Sequence, residues 1–524
     1  MSDVRVFKRL RLDNLKPDTM NRRQFVKTSG MACGAIAMPG VLSSSLLAAT
    51  KNTGNLFNVP RPIDIKLNVK PLFGVRVPVE LHEGPCRPND PSGWDRRKEI
   101  SRVQASYQRW WENLPKSINS NKVKLLEPVY AQFAGDHRIE GKDWDKILAE
   151  DQETDLYLIT NYRIPGLEIH TDKPIAFVGN NCATLDVVAK VNSEGGIAYG
   201  ALDFEEFNHI VDCLKVKKAL GNTKLLIVSD GEWNYEYNAT RSNIDPDILE
   251  KAFGVRAHYI SIAEMMGEYE KVLNDEIYIN EANRITKSLL KNAEKSLMTA
   301  ENIKPSIIYY LTAKKVMEEE GCNAFTATCQ EFCVSKMAMK YKVTPCITHS
   351  LLKDEAFPSV CEADVNVFFS MALQMYLADR SAYMGNTVVH NVENNLLEIH
   401  HDVPALKMKG FDQPDLPYNL VHFTERGWGA TMRYDFSRDR GEAVTFCRMT
   451  PKADKILVVK GEMIDANGLE SWGCSLQAVV KVSDARHYYR RAMQTGHHFS
   501  MIYGDFTDQM EQLAEILGID FEVV

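Results

Sequence analysis

The chain has 524 residues, 44% of them hydrophobic and 25% charged, with a formal net charge of −8. Such a length exceeds what one hydrophobic core supports and points to about three domains. The composition is that of an ordinary soluble globular protein, and the acidic balance gives no footing for a nucleic-acid partner.

The first 28 residues are rich in cations, among them Arg5, Lys8, Arg9, Arg11, Lys16, Arg22, Arg23 and Lys27. A mildly apolar run follows over 29–49, softened by Gly30, Gly34, Gly40 and serines. This is the order of a secretory leader. Asn21-Arg22-Arg23-Gln24-Phe25-Val26-Lys27 resembles the twin-arginine export motif. Residues 1–49 are therefore expected to be a twin-arginine signal peptide, recognised by that export machinery and delivering a folded protein to the periplasm. A membrane span needs about 20 strongly apolar residues, so removal is expected rather than a stable membrane anchor. The eleven cysteines are scattered, without the paired doublets of a zinc site. The closest pair, Cys329 and Cys333, reads as buried free thiols, with disulfides open in a periplasmic setting.

From 50 to 221 the pattern alternates strands (66–75, 123–132, 155–160, 174–179) with helices, the last over 204–220 and stopped by Gly221-Asn222. That is a first α/β domain. A second, 222–385, opens on Thr223 to Asp230, a short apolar run ending in polar residues, as in a parallel strand buried on both faces. It continues with a long charged helix over 276–302 and a strand from Asn323 running into a polar loop at Glu331. A strand ending at Cys361-Glu362 then leads into a helix over 364–378. After 386 short strands and turns predominate, giving a mainly β domain over 386–524. The expected architecture is α/β: two Rossmann-like α/β domains followed by a mainly β C-terminal domain.

Chemistry concentrates at three places. Glu362 lies where a strand feeds a helix, the position where open α/β sheets bind ligands; a helix-capping role accounts for Glu362 or Asp364 equally well. His400-His401 ends an alternating strand from Leu396, and taken alone is a surface or core histidine of the β domain. Gly496-His497-His498 opens another alternating strand, 499–503, followed by an amphipathic helix through Leu517, Gly518 as its stop, and a last short strand over 521–524. A carboxylate with imidazoles suits a divalent ion such as Mn²⁺, which can polarise a carbonyl and a neighbouring hydroxyl while a carboxylate moves a proton.

These stretches resemble the L-fucose and L-arabinose isomerase family. The similar segments are Ala324 to Glu331, Pro358-Ser359-Val360-Cys361-Glu362-Ala363-Asp364, Leu397-Glu398-Ile399-His400, and Gly496-His497-His498 through Val524. Thr223 to Gly231 fits the opening strand of the family's central domain. The resemblance implies a sugar isomerase-like enzyme that interconverts an aldose and a ketose through an enediol. Glu362 would be metal ligand and proton acceptor, with His400 and His498 as further ligands, and Mn²⁺ the cofactor. Glu331, Asp364 and Asn386 are substrate-lining candidates; for Glu331 a solvated loop acid is the alternative. A monosaccharide substrate and a homo-oligomer, a hexamer among the forms, also follow. One position departs from the pattern. The family carries a second acid about two dozen residues after the first, and position 24 after Glu362 is Asn386. Asparagine offers a carbonyl oxygen but is no general base. A sugar-binding protein without turnover, or a metal-dependent enzyme on another carbohydrate, are the rival readings.

Overall fold

The computed structural model describes residues 56–76, 96–133, 139, 141–161, 164–231 and 242–524. The leader expected over 1–49 lies outside them. Three layered units follow in chain order. The first is a six-stranded parallel sheet in which Leu67–Arg76 pairs on one side with Val123–Leu125 and Val129–Phe133 and on the other with Leu156–Ile159. Ile175–Val178 and Ala198–Ala201 complete it. The single strand expected over 123–132 is two strands, because Pro128 has no N–H to give the ladder. Leu156–Ile159 and Ile175–Val178 are buried throughout, as a parallel strand covered on both faces must be.

The second unit is a parallel sheet in the order Ser359–Cys361, Ala324–Ala327, Lys224–Val228, Arg256–Ile260. All four strands run the same way, so Ser229, Thr328 and Glu362 emerge at one end. Two expectations change here. The long helix over 276–302 is broken: Glu276–Asn292 ends where Ala293 takes an extended backbone, and Ala300–Glu319 starts afresh. Between them Lys295–Ser296 pairs with Asn419–His422, so a sheet edge competes successfully with the helix. Likewise Glu331 lies not in an open loop but in the short helix Cys329–Val334.

The third unit is a closed antiparallel barrel. Its strands, in order around the ring, are Ala443–Met449, His498–Tyr503, Tyr383–Asn391, Leu396–His400, Gln477–Val482 and Lys455–Asn467, which pairs back with the first. Asp520–Val523 adds in parallel to Lys455–Asn467. Tyr383, Leu397, Ile399, Phe446, Phe499 and Met501 fill the inside, so alternate residues face outward. Against that outer face lies the helix Val365–Ala378, buried at every residue and also packed on Phe204–Gly221 of the first unit. Its apolar faces pack on all three units, and a polar stripe of Asn366, Ser370 and Gln374 hydrogen-bonds to the barrel strand Ala443–Met449. No described helix is long and apolar enough to cross a membrane.

Candidate metal centre

Glu362 leaves the sheet through a strained turn. Glu362 and Ala363 have φ of 66° and 48°, and the Asp364 N–H reaches back to the Cys361 carbonyl at 3.4 Å. Both central residues of this turn are left-handed, a conformation that costs a non-glycine residue about 1–3 kcal/mol. The turn turns the Glu362 carboxylate toward the outer face of the barrel. There His401 Nε2 lies 3.3 Å from Oε1 and His498 Nε2 lies 3.7 Å from Oε2. One ligand atom from each of the three residues falls within 4.8 Å of the others. Both histidines are buried, at 1% and 0% exposure of the side chain.

Each histidine is positioned by its backbone. His498 opens the strand His498–Tyr503, directly opposite Asn386. His401 follows the last residue of Leu396–His400 and is clasped by one hydroxyl: Tyr383 Oη accepts the His401 N–H at 2.8 Å and donates to its carbonyl at 2.7 Å. The next residues are tied down as well. Asp402 is paired with Arg433, both fully buried. Lys353 Nζ donates to the Val403 carbonyl, and Asp354 Oδ1 accepts from the N–H groups of Leu406 and Lys407.

The sequence-derived set meets this geometry unevenly. Glu362 and His498 are brought together, but the imidazole that joins them is His401, not His400. By pleat His400 does share a face with Asn386 and His498. The strand ends there, however, and the following turn carries His401 round to Glu362. The His400 ring stays beside Glu398, two residues back on its own face, with Nδ1 3.2 Å from Oε1 and 28% side-chain exposure. Asn386 is half-buried and its amide donates to the His400 carbonyl at 3.3 Å. Asp364 lines no open space: it is fully buried, caps Val365–Ala378 by accepting from the Val367 N–H at 3.0 Å, and pairs with His498 and Arg448. Glu331 is occupied locally, its carboxylate accepting from Ser229 Oγ, the Asp230 N–H and Thr328 Oγ1. It thereby ties two parallel strand ends together. The nine cysteines among the described residues are free thiols, and Cys333 is exposed rather than buried.

The electrostatics favour an ionised Glu362. Burial pushes its carboxyl up, but the hydrogen bond from His401 and the nearby His498 and His401 rings outweigh burial and hold it below the ordinary value. His400 moves down, chiefly through burial. His497, beside His498 with ring centroids 4.1 Å apart, is lowered to about 4 by burial, then by His498 and Arg448.

The three residues fit a divalent cation on two counts. One carboxylate and two imidazoles form a donor set suited to first-row divalent ions. His498 Nε2 is buried without a hydrogen-bond partner, which is costly for a polar atom unless something fills the gap. His401 is less ready. Its Nδ1 accepts from the Asp402 N–H at 3.2 Å, so Nε2 carries the proton toward Glu362 and would yield it to a cation.

Gly496 explains why the histidine pair follows a glycine. Its φ is +108°, and an added Cβ would lie 2.1 Å from Ser242 Oγ and 3.1 Å from two nitrogens of Arg448. Gly496→Ala is expected to lower stability by about 2 kcal/mol or more in urea unfolding.

No protein-family model matches the chain. It is similar to sulfoquinovose isomerases, among them the following three. That of Priestia megaterium is 24% identical over 321 residues, which cover 60% of this chain and 67% of the relative. That of Clostridium sp. is 23% identical over 288 residues, 53% of this chain and 60% of the relative. That of Alkalicoccus urumqiensis is 25% identical over 243 residues, 44% and 52%. The chain thus matches between about half and two thirds of the length of these relatives, and has distant homologues among sugar isomerases.

Proposed function

We propose that the chain is a divalent-metal-dependent sugar isomerase that interconverts an aldose and a ketose through an enediol. The observation that carries this reading is the meeting of Glu362, His401 and the partnerless His498 Nε2 at one buried point. The named activity of the distant relatives supplies the reaction class. Glu362, His401 and His498 would hold the ion, for which we propose Mn²⁺. When bound, it would polarise the carbonyl and adjoining hydroxyl of the sugar.

Glu362, ionised near neutrality, accepts the carbon-bound proton and returns it to the neighbouring carbon, while the hydroxyl proton passes from the oxygen that becomes the carbonyl to the one that was, so the sugar is isomerised with no net gain or loss of atoms. Asn386, half-buried in register with His498, can hold a sugar hydroxyl by hydrogen bonds but can take up no proton. That carboxamide is the observation favouring a second reading, a carbohydrate-binding protein of the same fold without turnover. Turnover of another carbohydrate by the same centre is the third. Export through the twin-arginine route to the periplasm, on the strength of Asn21 to Lys27, and assembly as a homo-oligomer, up to a hexamer, complete the proposal.

The test is a Mn²⁺ titration of the purified protein followed by a panel of aldoses assayed for ketose. Bound metal with turnover is the expected result. Sugar binding without turnover selects the second reading, and neither metal nor sugar affinity contradicts all three. Saturating Mn²⁺ at about a hundred times Kd should add about 2.7 kcal/mol of stability, visible as a raised thermal midpoint that a chelator reverses. Asn386→Asp, which adds a negative charge beside His498, should tighten Mn²⁺ by about tenfold in the same titration.

A further inference from the structure

We infer that Asp364 and Arg448 are positioning residues for this centre: Arg448 fixes Asp364, and Asp364 fixes the His498 ring in the tautomer that leaves Nε2 free for a cation. The inference rests on the metal-centre reading above and goes beyond it, since neither residue would touch the ion.

The geometry is a buried relay. Asp364 Oδ2 lies 2.8 Å from His498 Nδ1. Arg448 Nη1 lies 2.9 Å from the same oxygen, and Nη2 lies 3.4 Å from Oδ1. All three side chains are at 0% exposure. A carboxylate beside a guanidinium can only accept, so the Nδ1 position of His498 must carry the proton. Its Nε2 then has a lone pair, and that lone pair has no hydrogen-bond partner. At 3.7 Å it stands outside hydrogen-bond range of Glu362.

Arg448 also fixes the backbone that carries the ring. Nε donates to the Thr495 carbonyl at 2.7 Å and Nη1 to the His498 carbonyl at 2.6 Å. Nη2 reaches Ser242 Oγ at 3.1 Å. One guanidinium thus spans the Gly496 turn and sets both the start of the strand and the ring it bears.

Stability gives no reason for this arrangement. A buried ion pair is often no better than apolar residues of the same volume, because desolvation offsets the attraction. Orienting a ligand does give a reason, for a metal-binding histidine needs a partner on its other nitrogen, and losing that partner typically weakens metal binding 10–100-fold.

The experiment compares Mn²⁺ affinity by calorimetry in the wild type, Asp364→Asn and Arg448→Lys. Asp364→Asn keeps the side-chain size and an oxygen for the helix cap, but its amide can donate to Nδ1 and drive the proton onto Nε2. Arg448→Lys keeps the net charge and loses the fork. We expect affinity to fall about 10–100-fold in both, with the thermal midpoint of the metal-free protein reporting folding. A fall in the charge-conserving Arg448→Lys separates positioning from a simple loss of negative charge. Nitrogen-15 spectra of the wild-type imidazoles need no variant: His498 should be the neutral ring protonated at Nδ1. Wild-type binding with both variants within threefold of it, or a His498 proton on Nε2, overturns the inference and leaves the metal centre standing. No Mn²⁺ binding by the wild type overturns both.

Discussion

Arg448→Met should lower the unfolding free energy by about 3–5 kcal/mol, the usual penalty for removing one partner of a buried ion pair. The variant would leave the Asp364 carboxylate in a fully buried site without its cation, and the Thr495 and His498 carbonyls without their donor. It would act at the junction of the barrel and the helix Val365–Ala378, whose cap is Asp364. Urea unfolding measures the loss, and a change under 1 kcal/mol contradicts the account. A paired Arg448→Met and Asp364→Leu replacement removes both charges and should recover part of the stability. It should not recover Mn²⁺ binding, because the His498 ring would still lack its orienting partner.

Glu362→Gln should reduce ketose formation by at least about a thousandfold, since proton transfer by a placed carboxylate alone contributes about 10²–10⁴. The amide keeps the shape and a carbonyl oxygen but can neither accept the carbon-bound proton nor lend a negative charge to a cation. Mn²⁺ affinity should fall with turnover. The fold should survive, because the strained turn at Glu362 and Ala363 is held by the strand before it and the capped helix after it. Turnover within tenfold of the wild type would remove Glu362 from the chemistry and require another base.

How far these residues speak for themselves in the sequence depends on range. Local patterns are legible. The unbroken apolar runs at 156–159 and 225–228 are parallel strands buried on both faces. Glu362 sits at a strand end before a helix, and the alternation after His498 is a barrel strand. Competition at longer range is not legible. Nothing in the charged run 276–302 announces that Lys295–Ser296 would be recruited by a strand beginning at Asn419.

The exchange of His400 for His401 has the same cause. A period of two assigns side chains only while the strand lasts, and this one stops at His400, where the Tyr383 hydroxyl, from the neighbouring strand, clasps the next peptide. Arg448 lies in a barrel strand that reads as ordinary, and its significance exists only once Asp364 and His498 are folded against it. Closure of the barrel is equally hidden, since it depends on the pairing of Ala443–Met449 with Lys455–Asn467 after the other strands have come round.

Adjacent histidines provide the most direct test of the centre. Mn²⁺ titration by calorimetry should compare His400→Asn with His401→Asn, two substitutions one residue apart with the same change in chemistry. With Glu362, His401 and His498 as the ligand set, His401→Asn should lose at least about a hundredfold in affinity, or about 2.7 kcal/mol. His400→Asn should stay within about threefold of the wild type. Loss of binding on replacing His400, with His401→Asn unaffected, would contradict the account.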